Sequence, residues 1–307
     1  MNPLKIVFMG SPDFAVPSLE ALHESPHDII TVVSGEDKRR KRRGEPEPTA
    51  VKRRALELGL ETYDAENMKS PELEEKLRSL NPDLFVVVAF KILPASLLQI
   101  PSKGSINLHA SLLPKYRGAA PIHWAVIKGE KETGCTVFFL DQSVDTGRIL
   151  KQTAIPISQS DTTGDIYDKL KDVGAELVAD SADLIAKGAY ETTRQKDSEA
   201  TPAPKLFREN TKIDFSEDAR NVHNLIRGLN PFPVAWCKYG DEKMNVYRSK
   251  VDANRSIPPG ELRFAEGRLL AGAGNGAVEL LELQLPGTKR MSGAEFANGY
   301  DLELPLE

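Results

Sequence analysis

Three short and nearly unbroken apolar runs constrain the fold most: Leu4–Met9, Asp28–Val33 and Leu84–Ala89. A strand that is apolar on both faces needs cover on both faces, which is the situation in a parallel sheet flanked by helices. Helical patterns lie between these runs. Pro17–His23 is one. Val51–Leu58 is another, with Val51, Ala55 and Leu58 on one face. Pro71–Leu80 is a third, ended by Asn81-Pro82. Ser105–Leu108 adds a short strand after the Pro101–Gly104 turn, and Thr136–Leu140 and Ile149–Ile157 read as later strands. Asp161–Ala186 reads as a long helix, with Asp161 and Thr162 as candidate caps. The alternation predicts an α/β, doubly wound, mostly parallel sheet of Rossmann-like type.

Beyond about residue 206 the texture changes. Glu191–Pro204 is polar and holds two prolines, as a linker does. One helix, Ala219–Leu229, is stopped by Asn230-Pro231. Short strand-like runs follow at Val234–Lys238, Met244–Val251, Glu261–Arg263, Arg268–Ala271 and Ala277–Leu285. Strands of this length and spacing predict a small antiparallel barrel of the OB type. The expected division is residues 1–189, a linker 190–206, and a second domain 207–307. A chain of 307 residues accommodates two such cores.

Composition excludes several classes. The two cysteines, Cys135 and Cys237, are far apart and lack any ligand spacing, so neither a disulfide framework nor a metal site is expected. That usage suits a reducing, cytoplasmic setting. The amino-terminal apolar run is too short for a signal peptide, and no run approaches the roughly 18 apolar residues of a membrane span. Gly10-Ser-Pro-Asp-Phe14 lacks the GxGxxG of a nicotinamide site, and Gly104-Ser105 lacks the surroundings of a phosphate loop. Net charge is −5. That average hides six consecutive cations: Lys38, Arg39, Arg40, Lys41, Arg42 and Arg43. Such a run is commonly a solvated loop, yet a local basic patch attracts polyanions even on an acidic protein.

The chemistry points to one strand end. Of the five histidines, only His109 follows a short apolar strand and precedes a loop of small and special residues. In parallel α/β sheets ligands bind beyond the carboxyl ends of strands. Asn107 and His109 are two apart and share a face of an extended chain. An imidazole takes a proton near pH 7, and an asparagine amide donates to a forming oxyanion. Amine attack on a formyl carbon needs both. Asp145, in the turn Asp141–Gly147, could orient the imidazole. By themselves the three also fit a hydrogen-bonded strand end and a plain turn.

The string Asn107-Leu-His-Ala-Ser-Leu-Leu-Pro-Lys-Tyr-Arg-Gly-Ala-Ala-Pro-Ile122 resembles the folate-dependent formyltransferases. Glu132–Val137, Val144–Gly147 and Gly10–Phe14 fit the same family, and the resemblance covers essentially the whole chain. It implies that Asn107 and His109 act on the transferred formyl group and that Asp145 supports the histidine. It implies that Ser111, Leu112, Leu113 and Pro114 cradle the folate. The formyl donor, 10-formyltetrahydrofolate, would be a substrate, with no permanently bound cofactor and no metal. Several members share this folate domain and act on phosphoribosylglycinamide, on amino sugars, or by hydrolysis. Lys205–Asp214, Leu229–Pro233, Trp236 and the basic run resemble instead the members acting on methionyl-initiator tRNA. There Lys38–Arg43 and the second domain, residues 207–307, would contact the tRNA, with Arg42 aligned to the family's loop arginine. A cytoplasmic monomer without membrane association is expected.

Two segments depart from the family pattern. Positions between Asp37 and Pro48 are mostly Arg and Lys where relatives mix in glycine and proline, and Val88–Pro94 lacks the glycine after the aromatic. Two rivals stay open: a formyltransferase for a small amine, and a non-catalytic tRNA- or folate-binding protein.

Overall fold

The apolar runs become the centre of a seven-stranded sheet. In the computed structural model, residues 2–37 and 45–307 are described; the basic run Lys38–Arg43 lies outside them. The first five strands are β1 (Lys5–Gly10), β2 (Asp28–Ser34), β3 (Thr62–Asp64), β4 (Leu84–Val88) and β5 (Ser105–His109). β6 (Glu132–Phe139) and β7 (Ile149–Pro156) complete the sheet, whose order is β3-β2-β1-β4-β5-β6-β7. Pairing is parallel from β3 through β5 and turns antiparallel between β5 and β6. The sheet is therefore mostly parallel, as the continuous apolar runs demand.

Helices α1 (Val16–His23), α2 (Ala50–Glu57), α3 (Pro71–Ser79) and the short α4 (Ala95–Leu98) follow the periodic segments. α3 starts where Ser70 accepts a hydrogen bond from the Leu73 N–H, with Pro71 just inside, and α2 starts on Thr49 in the same way. The core on one face of the sheet joins Val7, Met9, Val33, Phe85 and Val87 to Leu73, Leu77 and Leu97 of the helices. Each large side chain fully buried there contributes about 1.5–3 kcal/mol. Cys135 is buried, and that burial pushes its thiol up to about 12, so it is an inert packing residue.

Two compact units emerge: residues 1–118, 133–155 and 167–202 in one, and 119–132, 156–166 and 203–307 in the other. The second unit takes in α5 (Pro121–Ile127) and the start of α6 (Thr163–Lys187). Of the two candidate caps for α6, Thr162 acts as one: its hydroxyl accepts from the Asp165 N–H while Asp165 receives the Thr162 N–H. Asp161 instead closes the preceding turn on the Ser158 N–H.

The rest of this unit is α7 (Ala219–Gly228) with strands β8 (Ala235–Tyr239), β9 (Glu242–Asp252), β10 (Leu262–Ala265), β11 (Arg268–Gly272), β12 (Ala277–Gln284) and β13 (Met291–Ser292), then α8 (Gly293–Gly299). The strands form an antiparallel open ladder, β8-β9-β12-β11-β10, with β13 beside β12. Val222 and Ile226 of α7, with Leu229 just past its end, pack into a core with Met244, Val246, Leu280, Leu283 and Phe296. A capping box of Ser292 and Glu295 starts α8, an element without a counterpart in the sequence reading.

Candidate active site

β5 alternates three polar side chains, Ser105, Asn107 and His109, with apolar Ile106 and Leu108. Asn107 sits opposite Val87 and Phe138, and His109 opposite Thr136. His109 is the last residue of the strand itself, one step earlier in the loop geometry than its sequence context suggests. The alternation puts Asn107 and His109 on one face and buried Leu108 on the other.

His109 is only 6% exposed. Its Nε2 lies 2.8 Å from the Tyr116 carbonyl oxygen. A carbonyl only accepts, so Nε2 carries the proton and donates it, and Nδ1 keeps its lone pair. That lone pair is on the Asp145 side, with Nδ1 3.8 Å from Asp145 Oδ2. Burial lowers the His109 pKa below its ordinary value, and the Asp145 charge opposes this. The imidazole is therefore neutral at pH 7, with Nδ1 as its one vacant acceptor. A proton arriving there would meet a carboxylate that stabilises the cation.

Asp145 is held in turn. It occupies the left-handed region, φ 56°, which Asp tolerates better than most residues. Its Oδ2 accepts the Gly118 N–H at 2.8 Å. Two residues on, a Cβ at Gly147 would overlap the Phe139 carbonyl oxygen, so only glycine fits that turn.

Three residues of this arrangement escaped the sequence reading. Within the stretch expected as a linker, Gln195 is 6% exposed and its Nε2 donates to the Asp145 and Gly147 carbonyls at 2.9 and 2.8 Å. Arg117 donates through Nε and Nη2 to Gln195 Oε1, at 3.0 and 2.8 Å, fixing which end of the amide faces the turn. Thr136, fully buried in β6, donates to the Ser111 carbonyl and accepts from the Leu113 N–H and Gln152 Nε2. A buried hydroxyl in an apolar strand is a signal that could have marked Thr136. Gln195 has no local signal, because its partners lie about 50 and 78 residues away in sequence.

Gln195→Ala tests this brace. It strips two carbonyls of their donors and frees the Asp145 turn. We expect kcat to fall between roughly ten- and a hundredfold with KM little changed, since small misplacements of catalytic groups cost that much. Steady-state kinetics reads the split. An unaltered kcat would remove Gln195 from the site's support.

A small cavity of about 110 Å³ opens beside these groups. Phe90, Leu93, Leu98 and Leu140 give it apolar walls, and Asn107 and Asp145 supply polar atoms. Flat apolar walls with few polar anchors suit a heteroaromatic ring. Ala89, at the mouth of the Phe90–Pro94 segment, has φ 47°, a left-handed turn made here without glycine.

The residues expected to cradle the folate lie elsewhere in the loop after β5. Ser111 is fully buried, with its hydroxyl on the Lys115 carbonyl, and Leu113 is buried with its carbonyl on Gln152. Leu112 and Pro114 are half-buried, and none of the four lines the cavity. The structure thus brings Asn107, His109 and Asp145 together. The six cations of Lys38–Arg43 fall outside the described residues.

Residues 4–181 match the family model described as formyl transferase, and residues 205–301 match the formyl transferase C-terminal domain. The chain belongs to the formyltransferase family.

Within the family, it is 43% identical over 310 aligned residues to the methionyl-tRNA formyltransferase of Chlorobium phaeovibrioides, covering 99% of this chain and 97% of that one. The methionyl-tRNA formyltransferase of Caldanaerobacter subterraneus is 40% identical, covering 97% and 98%. Among solved structures, the N-formyltransferase of Helicobacter canadensis, in complex with folinic acid and dTDP-3-aminofucose, superposes with a TM-score of 0.70. That match covers 90% of this chain and 98% of the other, at 20% identity, and so is a likeness of fold.

Proposed function

We propose that this chain transfers the formyl group of 10-formyltetrahydrofolate to the α-amine of methionyl-initiator tRNA, in the cytoplasm. One observation carries the reading. A neutral, buried histidine with a vacant Nδ1 stands beside Asp145 and Asn107, in a chain similar end to end to methionyl-tRNA formyltransferases.

The chemistry uses the site as follows. The amine nitrogen attacks the formyl carbon, forming the new C–N bond and placing negative charge on the former carbonyl oxygen. The Asn107 amide donates to that oxyanion. His109 Nδ1 takes the proton that the nitrogen sheds, and Asp145 stabilises the imidazolium. Collapse breaks the bond to N10 of the folate, and the proton passes to that nitrogen. The pterin-side ring is assigned to the cavity walled by Phe90, Leu93, Leu98 and Leu140. Ser111–Pro114 act by holding the loop that carries the Tyr116 carbonyl to His109. The basic run Lys38–Arg43, Arg42 included, is assigned to the tRNA backbone on its charge.

The test is an acceptor assay. The protein is mixed with 10-formyltetrahydrofolate and either charged initiator tRNA or a small amino sugar nucleotide. Formylation of the tRNA is expected, with affinity falling steeply in salt. The slope of log K against log[salt] should be about −0.7 to −0.9 per phosphate contacted. A flat salt response, or turnover confined to the small amine, overturns the tRNA reading.

A further inference from the structure

The stretch 193–201, which reads as a linker in sequence, belongs to the first compact unit and meets three consecutive residues that serve both ionisable groups of the site. The Tyr116 carbonyl accepts the His109 Nε2–H at 2.8 Å. The Arg117 guanidinium holds the Gln195 amide that braces the Asp145 turn. The Gly118 N–H donates to Asp145 Oδ2 at 2.8 Å. Residues 116–118 are therefore one mount for His109 and Asp145 together.

Thr201 fixes the head of that mount twice. Its Oγ1 accepts the Tyr116 N–H at 2.9 Å, and its carbonyl accepts the Arg117 N–H at 2.9 Å. Tyr116 needs the hold, because it lies in the left-handed region at φ 62° without being glycine. A side chain there raises the backbone energy, and such a conformation persists where the surroundings over-determine it. Upstream, the Thr193 N–H and carbonyl both pair with Ile149, so the stretch that carries Thr201 is itself anchored.

The direction of the Tyr116 carbonyl decides a competition at His109. A carboxylate beside an imidazole commonly draws the ring proton to the nitrogen that faces it. At His109 that nitrogen is Nδ1, 3.8 Å from Asp145 Oδ2. A proton resting there would occupy the lone pair that receives the proton of the attacking amine. The carbonyl at Nε2 is nearer, 2.8 Å against 3.8 Å, and keeps the ring proton on its own side. Turning the Tyr116 carbonyl away hands the advantage to Asp145.

We infer that Thr201 is a positioning residue for the transfer: through the Tyr116 carbonyl it sets which nitrogen of His109 is free to act as the base. The inference rests on the general-base reading of His109 and extends it to a residue that acts through the backbone of Tyr116. Thr201 is exposed, so its replacement disturbs no core packing.

Long-range proton–nitrogen spectra of the isotope-labelled full chain, taken without substrate at neutral pH, report the tautomer of each histidine, and His109→Ala assigns the His109 signals. Wild type should show His109 protonated on Nε2. Thr201→Val leaves the Tyr116 N–H facing a methyl group that also keeps water away. It should move His109 towards the Nδ1-protonated form and lower kcat about tenfold with KM little changed, in line with the cost of small misplacements of catalytic groups. Thr201→Ser keeps the oxygen and should restore both. A thermal melt checks the fold, and Thr201→Ala is read in the same way if the valine variant does not fold. An unchanged tautomer overturns the proposal whether or not kcat falls, because a merely structural residue lowers activity without moving the ring proton. Wild type protonated on Nδ1 overturns it as well. A shifted tautomer with kcat intact supports the hold on the ring and instead removes the general-base role of His109, so the two readings fail separately.

Discussion

His109→Ala is expected to lower kcat by about 10²–10⁴-fold, the usual contribution of a positioned general base. The reason lies in which nitrogen is vacant. Nε2 is committed to the Tyr116 carbonyl, so Nδ1 is the atom that receives the proton, and among the described residues no other histidine joins this cluster. His109 is also buried and satisfies the Tyr116 carbonyl, so some thermal stability is lost with it, and a melt run beside the kinetics separates that loss from the catalytic one. The pH profile gives a second readout. Burial lowers the His109 pKa beneath its ordinary 6.5. The base works as the neutral form, so kcat/KM should hold as pH falls through 6.5 and drop only below it. Asp145→Asn removes the charge that raises this pKa. The acid limb should then move to still lower pH, while kcat falls because the imidazolium loses its partner. Survival of near-wild-type formylation in His109→Ala would remove the general-base role and favour a binding protein.

Asn107→Ala should cost about 10²–10³-fold in kcat, as loss of one preorganised oxyanion donor does elsewhere. Asn107 has its backbone paired between Val87 and Phe138 and is half-buried at the lining of the cavity assigned to the pterin-side ring. Preorganisation is the point: pairing on both sides fixes the backbone from which this amide projects. Asn107→Asp is nearly isosteric yet should be at least as damaging, since a carboxylate repels the oxyanion it replaces a donor for. Single-turnover measurements at saturating substrates separate this from weaker binding. A rise in KM with kcat intact would make Asn107 a binding residue instead.

Much of this protein is legible from sequence for a physical reason. The parallel strands are apolar on both faces, so Leu4–Met9, Asp28–Val33 and Leu84–Ala89 could be read as central strands without any partner in view. The alternation along β5 put Asn107 and His109 on one face by period alone. The string around them carried the family, and the two matched regions bear that out.

Short elements were less legible. β3 is three residues long and α8 is seven, lengths at which periodicity carries little information. Tertiary structure alone decided which ring nitrogen of His109 is vacant, since that depends on a carbonyl seven residues away in a turned loop. It alone decided that Gln195 braces the Asp145 turn, because no local pattern relates residues 50 apart. The run at Lys38–Arg43, by contrast, is contiguous and plain in the sequence itself. Sequence determines what a residue can do and which face it is on; the long-range pairing of strands and loops determines what it does it to.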